Sequence, residues 1–305
     1  MNLSAISYTP TIIASQMVSN LTADQNQQAT LEQQLSTGNL VNSPSDNPAA
    51  AASIMQLNAS LNRATQYSSN AADGLGWLSL GNSTINSVMS NLQTARQTVL
   101  ALSGEMLSGQ PGAITGAAAQ LKAINQQILG LANTTYGGQA IFSGTGNVST
   151  AYDQNGNYVG GGSSPTRTVA PGVQVPISTT GPAIFGSGST GLLGPTGVLN
   201  TLISDITTGT PASLKKAQTT DLANLDAAMS TVSTGAAELG ANYQRMQGFA
   251  TQATNAQTAL QSQLSAEDSV NVAQATTQLT QDQQTYQTGL WATAQIDSHS
   301  LIQYL

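Results

Sequence analysis

A heptad-like repeat near both ends of the chain constrains the fold more than any other feature of the sequence. Near the N-terminus, residues spaced 4-3-4-3-4 define one stripe: Met17, Leu21, Asp24, Gln28, Leu31 and Leu35. A period of 3.5 residues places such a stripe along one side of a helix, and a partner helix must cover it. The N-terminal segment is therefore predicted to be one helix of a coiled coil.

A longer stripe of the same spacing lies near the C-terminus, from Leu222 to Leu264. Beyond Leu264 the phase slips, and the later apolar residues fit only if an extra step is inserted, which predicts a stutter. Pairing of the two ends would bring both termini together, as in an elongated, hairpin-like rod. The residues predicted to form an assembly interface are Met17, Leu21, Asp24, Gln28, Leu31, Leu35, Leu279, Tyr286, Leu290, Leu301 and Leu305.

Two polar residues, Asp24 and Gln28, interrupt the N-terminal stripe. Buried polar residues in a coiled coil lower its stability but fix the register and the number of partners. Alternatively, both side chains lie at the edge of the stripe and face solvent. The sequence leaves both interpretations open.

Composition excludes several classes of protein. The 305 residues include 7 Lys and Arg against 14 Asp and Glu, and no basic residue precedes Arg63 or follows Arg245. A nucleic-acid-binding protein needs a basic surface to replace the counterions of the phosphates, so no nucleic-acid partner is predicted. The sequence contains no stretch of about 18 consecutive apolar residues, so no membrane span is predicted. The first residues do not resemble a signal peptide, and cysteine is absent.

The composition of the middle of the chain, and the secondary structure that it predicts, change along its length. Helices are predicted over 12–37, 48–107 and from about 112 to 136, with Gly38 ending the first helix and Asn47-Pro48 starting the second. Glycines at 74, 76 and 81 are expected to loosen the second helix. A Gly-rich region follows, with short β-prone runs at 140–142, 173–177 and 183–185 and a tight turn at Asn155-Gly156.

These patterns predict a mainly α protein with a small inserted β domain. We predict three regions: residues 1–45 with 265–305 as a terminal coiled-coil assembly domain, 46–136 with 195–264 as a helical rod, and 137–194 as the β insert. The insert is expected to be a separate domain whose removal leaves the rod folded.

No catalytic or cofactor site stands out. His299 is the only histidine, which excludes two-histidine zinc motifs. Glu267-Asp268 is most simply a solvated helix face, and Asp153–Asn157 resembles a calcium loop only faintly because no bidentate Glu follows at the required offset. We predict no enzyme activity, no metal and no cofactor.

Several stretches resemble bacterial flagellins and their relatives. They are residues 31–50, with the run Ser43-Pro44-Ser45-Asp46-Asn47-Pro48, then 131–145, 169–175, 181–185, 286–290 and 300–305. The form of residues 43–48 and of 131–145 is more similar to the hook–filament junction branch of that family than to flagellin itself. One position differs: Asn39 stands where the family usually has a basic residue.

The resemblance implies a flagellin-like fold and a structural subunit that joins the flagellar hook, through hook-associated protein 1, to the flagellin filament. It also implies a self-assembled ring of eleven subunits, an export chaperone on the C-terminal region, and type III export to the outside of the cell without a cleaved signal peptide. The alternatives are flagellin itself, a secreted coiled-coil adhesin and a cytoplasmic enzyme. Leu31 and Leu290 are expected to be buried only after assembly.

Overall fold

The computed structural model describes residues 10–102, 111–146 and 148–302. The elements are α1 (Pro10–Thr37), α2 (Pro48–Ala101), α3 (Pro111–Ala132), β1 (Thr135–Tyr136), β2 (Gln139–Ala140), β3 (Thr166–Ala170), β4 (Val173–Pro176), α4 (Gly181–Phe185), a 3-10 turn (Gly188–Thr190), α5 (Val198–Thr208), α6 (Pro211–Lys216), a π-helical turn (Ala217–Asp221), α7 (Leu222–Asp268) and α8 (Val272–Ile302). The mainly α fold with small antiparallel β elements is as predicted.

The described residues fall into two compact units. One combines the chain up to Arg63 with the chain from Ala256 onward, and the other is Ala64–Asn255. The predicted division into three regions and the predicted elongated shape remain predictions.

In the first unit, local capping sets the ends of the helices. Gly38 follows α1 with a φ of 75°, the left-handed conformation in which glycine has no steric penalty. At the start of α2, the Asn47 side chain accepts a hydrogen bond from the backbone N–H of Ala50 at 3.1 Å, and Pro48 occupies the first helical position. Both predicted signals therefore act as expected.

In the second unit, one hydrophobic core joins the helices to the Gly-rich region. Leu78, Ile85 and Leu92 of α2 are fully buried in the same cluster as Phe142 and Phe185. The two phenylalanine rings meet edge to face with centroids 5.4 Å apart, a favoured aromatic arrangement. The inserted region is thus packed into the core of this unit.

The strands form two separate two-stranded antiparallel sheets. Strand β1 pairs with β2, and β3 pairs with β4 in a ladder that shifts register between Thr168 and Ala170. The predicted turn at Asn155-Gly156 is present, flanked by an antiparallel bridge between Tyr152 and Tyr158.

The apolar run at 183–185 is helical, so its prediction as a strand was wrong. Thr180 precedes α4 in an extended conformation and Pro182 lies in the first turn, where proline is favoured. Ile184 and Phe185 are neighbours in sequence and are both buried, which a half-buried strand with alternating faces would not allow.

Helix α2 runs without interruption through its glycines, in contrast to the predicted loosening. A Cβ at Gly81 would lie 2.6 Å from Leu239 Cδ2, and a Cβ at Gly76 would overlap the hydroxyl of Tyr136. The glycines therefore permit close approach of neighbouring side chains, and the packing they allow keeps the helix intact.

Candidate assembly surface on the terminal helices

Helices α1 and α8 pack against each other in antiparallel orientation. Thr293 Oγ1 lies 4.0 Å from Met17 Sδ, and a Cβ at Gly289 would lie 2.9 Å from Leu21 Cδ2. In both contacts the residue numbers add to 310. This sum defines the register of the pair.

The register accounts for the whole predicted N-terminal stripe. The facing positions are Met17 with Thr293, Leu21 with Gly289, Asp24 with Tyr286, Gln28 with Asp282, Leu31 with Leu279 and Leu35 with Ala275. Leu31 is only 7% exposed and Ala275 6%, while most of the other members are half-buried. The paired terminal helices of the predicted fold are therefore present, whereas the role of these residues in assembly remains a prediction.

The polar residues of the stripe lie within the packed face. Asp24 and Gln28 are both partly buried, and the Nε2 atom of Gln28 is shielded from solvent. Of the two interpretations left open by the sequence, the structure favours the buried one.

Leu290 lies outside this packed face. It is 45% exposed, and the next residue, Trp291, is 81% exposed. On α1, Ile12 and Val18 are also more than half exposed. Gly289, the residue before Leu290, occupies the packed position. A Cβ at Gly289 would be too close to the Leu21 side chain.

Trp291 was missed by sequence reasoning because it does not fit the stripe. A signal was available, since a tryptophan is unusual in a chain with 4% aromatic residues.

The predictions for the Leu301 side chain and for Leu305 fall outside the described residues. Leu31 is already buried within the single chain, contrary to expectation.

The predicted stutter after Leu264 is a break between two helices. Helix α7 ends at Asp268 and α8 begins at Val272, where the Asn271 side chain accepts a hydrogen bond from the N–H of Gln274 at 3.2 Å. An N-cap of this kind starts a new helix.

The loop after α1 is bonded to this break. The N–H of Val270 donates to the carbonyl of Gly38 at 3.1 Å, and the N–H of Leu40 donates to the carbonyl of Asp268 at 2.5 Å. The Asp268 carboxylate also accepts from the N–H of Val41 at 3.2 Å. Asp268 therefore links the two ends of the chain. The prediction placed this residue on a solvated helix face and did not include such a structural role.

The other polar motifs have structural roles as well. The Asp153 carboxylate accepts hydrogen bonds from the backbone N–H groups of Asn155 and Asn157 at 2.9 and 2.8 Å. The Asn157 side chain, which donates to Asp153 Oδ2 at 2.9 Å, and these backbone bonds lower the pKa of Asp153. The bonds describe a turn. Within the described ranges, no group of three His, Cys, Asp or Glu residues could hold a metal, and no helix has the length and apolarity that a membrane crossing requires.

Comparison with known families agrees with this architecture. Residues 10–147 match the model of the bacterial flagellin N-terminal helical region, and residues 222–305 match that of the flagellin C-terminal helical region. The chain belongs to the flagellin family.

Within that family, the similar curated proteins are flagellar hook-associated proteins. The chain is 33% identical over 174 residues to flagellar hook-associated protein 3 of Salmonella typhimurium, covering 56% of this chain and 54% of the relative. It is 32% identical over 157 residues to the Escherichia coli protein of the same name, covering 51% of this chain and 49% of the relative. The matched part thus spans about half the length of these relatives.

Solved structures share the fold. A Vibrio parahaemolyticus protein assigned to the flagellar hook-associated proteins aligns with a TM-score of 0.64 and 25% identity, over 73% of this chain and 100% of its own. The flagellar junction protein FlgL from Legionella pneumophila aligns with a TM-score of 0.55 over 72% of this chain and 100% of its own, at 14% identity. The latter likeness concerns the fold alone.

Proposed function

We propose that this chain is the structural subunit that joins the flagellar hook, through hook-associated protein 1, to the flagellin filament. The observation that carries this proposal is its similarity to two proteins named flagellar hook-associated protein 3, each more than 30% identical over about half of this chain. The chain acts by assembly rather than by catalysis. Its partners are copies of itself in a ring of eleven, hook-associated protein 1, flagellin and an export chaperone.

The terminal helices supply the surface for these contacts in this proposal. Trp291 and Leu290 on α8, and Ile12 and Val18 on α1, expose large apolar side chains. Exposed apolar groups that are covered in an assembly are the usual source of interface free energy. Because no Lys or Arg occurs before Arg63 or after Arg245, these contacts are apolar and amide-mediated and should depend little on salt.

The proposed location is the hook–filament junction outside the cell. Export proceeds through the flagellar type III channel without a cleaved signal peptide, and a chaperone holds the C-terminal region before export. The absence of cysteine agrees with transport of an unfolded chain into an oxidising environment.

A deletion strain tests the role directly. Cells lacking the gene should make hooks without filaments and release flagellin into the medium, and a plasmid copy should restore both. Normal filaments in the deletion strain would contradict the proposal.

The family also contains the filament subunit, so the purified protein should be tested for polymerisation. Long filaments formed by this chain alone would identify it as flagellin.

Single substitutions test the surface. Trp291→Asp and Leu290→Asp should abolish motility without lowering the melting temperature of the monomer, because a carboxylate buried without a partner at each subunit contact costs several kcal/mol. Gln284→Asp, at an exposed α8 position, is the matched control and should leave motility intact. Leu239→Asp, at a residue 1% exposed, should unfold the second unit. Normal motility of the Trp291 and Leu290 variants would remove these residues from the interface.

A further inference from the structure

Two buried polar atoms on facing helices lack a hydrogen-bond partner. They are Gln28 Nε2 on α1 and Asp282 Oδ2 on α8. The register defined by the Met17–Thr293 and Leu21–Gly289 contacts places these two residues at facing positions. The other carboxylate oxygen of Asp282 accepts from Gln278 Nε2 at 3.3 Å on its own helix.

The two atoms are chemically complementary. The amide nitrogen of Gln28 can only donate, and the carboxylate oxygen of Asp282 can only accept. Leaving either one buried and unpaired costs free energy, and the penalty is larger for the charged group. Because α1 contains no Lys or Arg, the donor that faces Asp282 at this position is the neutral amide of Gln28.

We propose that Gln28 and Asp282 form an inter-helix hydrogen bond that sets the register of α1 on α8 and disfavours pairing of α8 with its own copy. This inference concerns the choice of partner by the terminal helices and does not depend on the hook–filament role.

Alternative registers show why the pair is selective. A slip of one heptad would place the Asp282 carboxylate opposite Leu21 or Leu35, where no donor is available. A parallel, in-register pair of two α8 helices would place two Asp282 carboxylates against each other without a cation. A single polar layer is known to select register and partner in coiled coils at some cost in stability.

The absence of cysteine allows register to be measured by disulfide trapping. Met17→Cys with Thr293→Cys reports the native register, and Met17→Cys with Tyr286→Cys reports a slip of one heptad. Each pair is introduced into the full chain, and the ratio of the two trapped yields is measured under identical mild oxidation. This ratio is defined even if the helices pair only part of the time.

In the native background the in-register yield should exceed the slipped yield by about tenfold, the selectivity expected from roughly one buried hydrogen bond. Gln28→Leu with Asp282→Leu should bring the ratio close to unity. The exchanged pair, Gln28→Asp with Asp282→Gln, should restore the native ratio because donor and acceptor have only changed sides. Gln27→Leu, at an exposed α1 position next to Gln28, is the control and should leave the ratio unchanged.

A single-cysteine variant, Thr293→Cys, reports self-pairing of α8. Its disulfide-linked dimer should be several-fold more abundant in the Leu/Leu background than in the native one, if one hydrogen bond separates the two pairings. The proposal is overturned if the Leu/Leu variant keeps the native register ratio, if the exchanged pair behaves like the Leu/Leu variant, or if dimer yield does not rise.

Discussion

At the scale of single residues, Asp221 carries a buried and poorly compensated carboxyl group in the second unit. This residue ends the π-helical turn, is 2% exposed, and buries its Oδ2 atom without a partner. Burial and the nearby Asp205 carboxylate raise its pKa to about 6. Asp205 itself has a lowered pKa because Lys216 Nζ lies 2.7 Å from its Oδ2.

We predict that Asp221→Asn stabilises the protein above pH 6. The pKa of Asp221 is higher in the folded than in the unfolded state, so its protonated form favours folding. Its contribution to stability is therefore fully present below about pH 4, the pKa of the unfolded chain. That contribution is lost as the pH rises through about 6. The gain from the substitution above pH 6 should be on the order of 3 kcal/mol or less.

Chemical denaturation between pH 4 and pH 8 measures this effect. The variant should lose the decline in stability between pH 4 and pH 6 that the native protein shows. Asp226→Asn is the control, because it removes a 2.7 Å ion pair with Arg96 in which both side chains are more than 40% exposed. It should change stability by about 1 kcal/mol or less, without that pH profile. Identical profiles for the Asp221 variant and the native protein would show that folding does not raise the pKa of Asp221.

At the scale of secondary-structure elements, the glycines of α2 and α3 have opposite roles. Gly76→Ala should destabilise the protein by about 1–3 kcal/mol, since the new methyl group meets the Tyr136 ring and overpacking has this order of cost. That ring packs on Trp77 with a centroid distance of 5.3 Å, which restricts its movement.

The matched substitution is Gly130→Ala in α3. A Cβ at Gly130 meets nothing within 4 Å, so alanine should stabilise the helix by about 0.5–1 kcal/mol through its higher helix propensity. Thermal melting of the two variants should therefore move in opposite directions. Equal shifts would mean that the close approach at Gly76 does not constrain the fold.

The elements also show how far sequence reasoning reaches. The end of α1 and the start of α2 were predictable because Gly38, Asn47 and Pro48 act through local geometry. The stripe on α1 was predictable because the spacing of its residues is regular. On α8 the packed stripe passes through Asp282, Gly289 and Thr293, and a search for apolar residues selects Leu290 instead.

Other features depend on tertiary contacts that the sequence does not display. Short apolar runs such as 183–185 fit a strand or a buried helix equally well, and here the helix-starting signals decide. The continuity of α2 through its glycines depends on the side chains of Tyr136 and Leu239, which are distant in sequence.

At the scale of the whole molecule, the stability of the terminal helices in the free chain is a separate question from their pairing. We predict that in a dilute monomer the paired state of α1 and α8 forms only transiently, so that residues 10–40 and 268–302 are disordered most of the time. Ordering each residue costs about 1–2 kcal/mol of backbone entropy, and the α1–α8 face includes Asp24, Gln28 and Asp282 among few large apolar residues. Amide hydrogen exchange should be fast in these segments in the monomer and slow after assembly. Strong protection in the dilute monomer would contradict the prediction.

The last prediction concerns the inserted region, which the sequence suggested could be removed without harm. Phe142, Ile177, Ile184 and Phe185 are at most 2% exposed and belong to the same core cluster as Leu78 and Leu239. Deleting residues 137–190 would expose the helix faces that these four side chains cover, at a cost of about 1.5–3 kcal/mol for each large side chain lost from the core. Since a domain of this size is stable by only about 5–15 kcal/mol, we expect the second unit to lose cooperative melting in circular dichroism.

Gly235→Ala provides a milder test of the same contact, because its Cβ would lie 3.0 Å from Ile184 Cγ1. It should lower the melting temperature without abolishing the transition. If the deletion variant still melts cooperatively, residues 137–190 are an independent domain. The helical core would then be stable without Phe142 and Phe185.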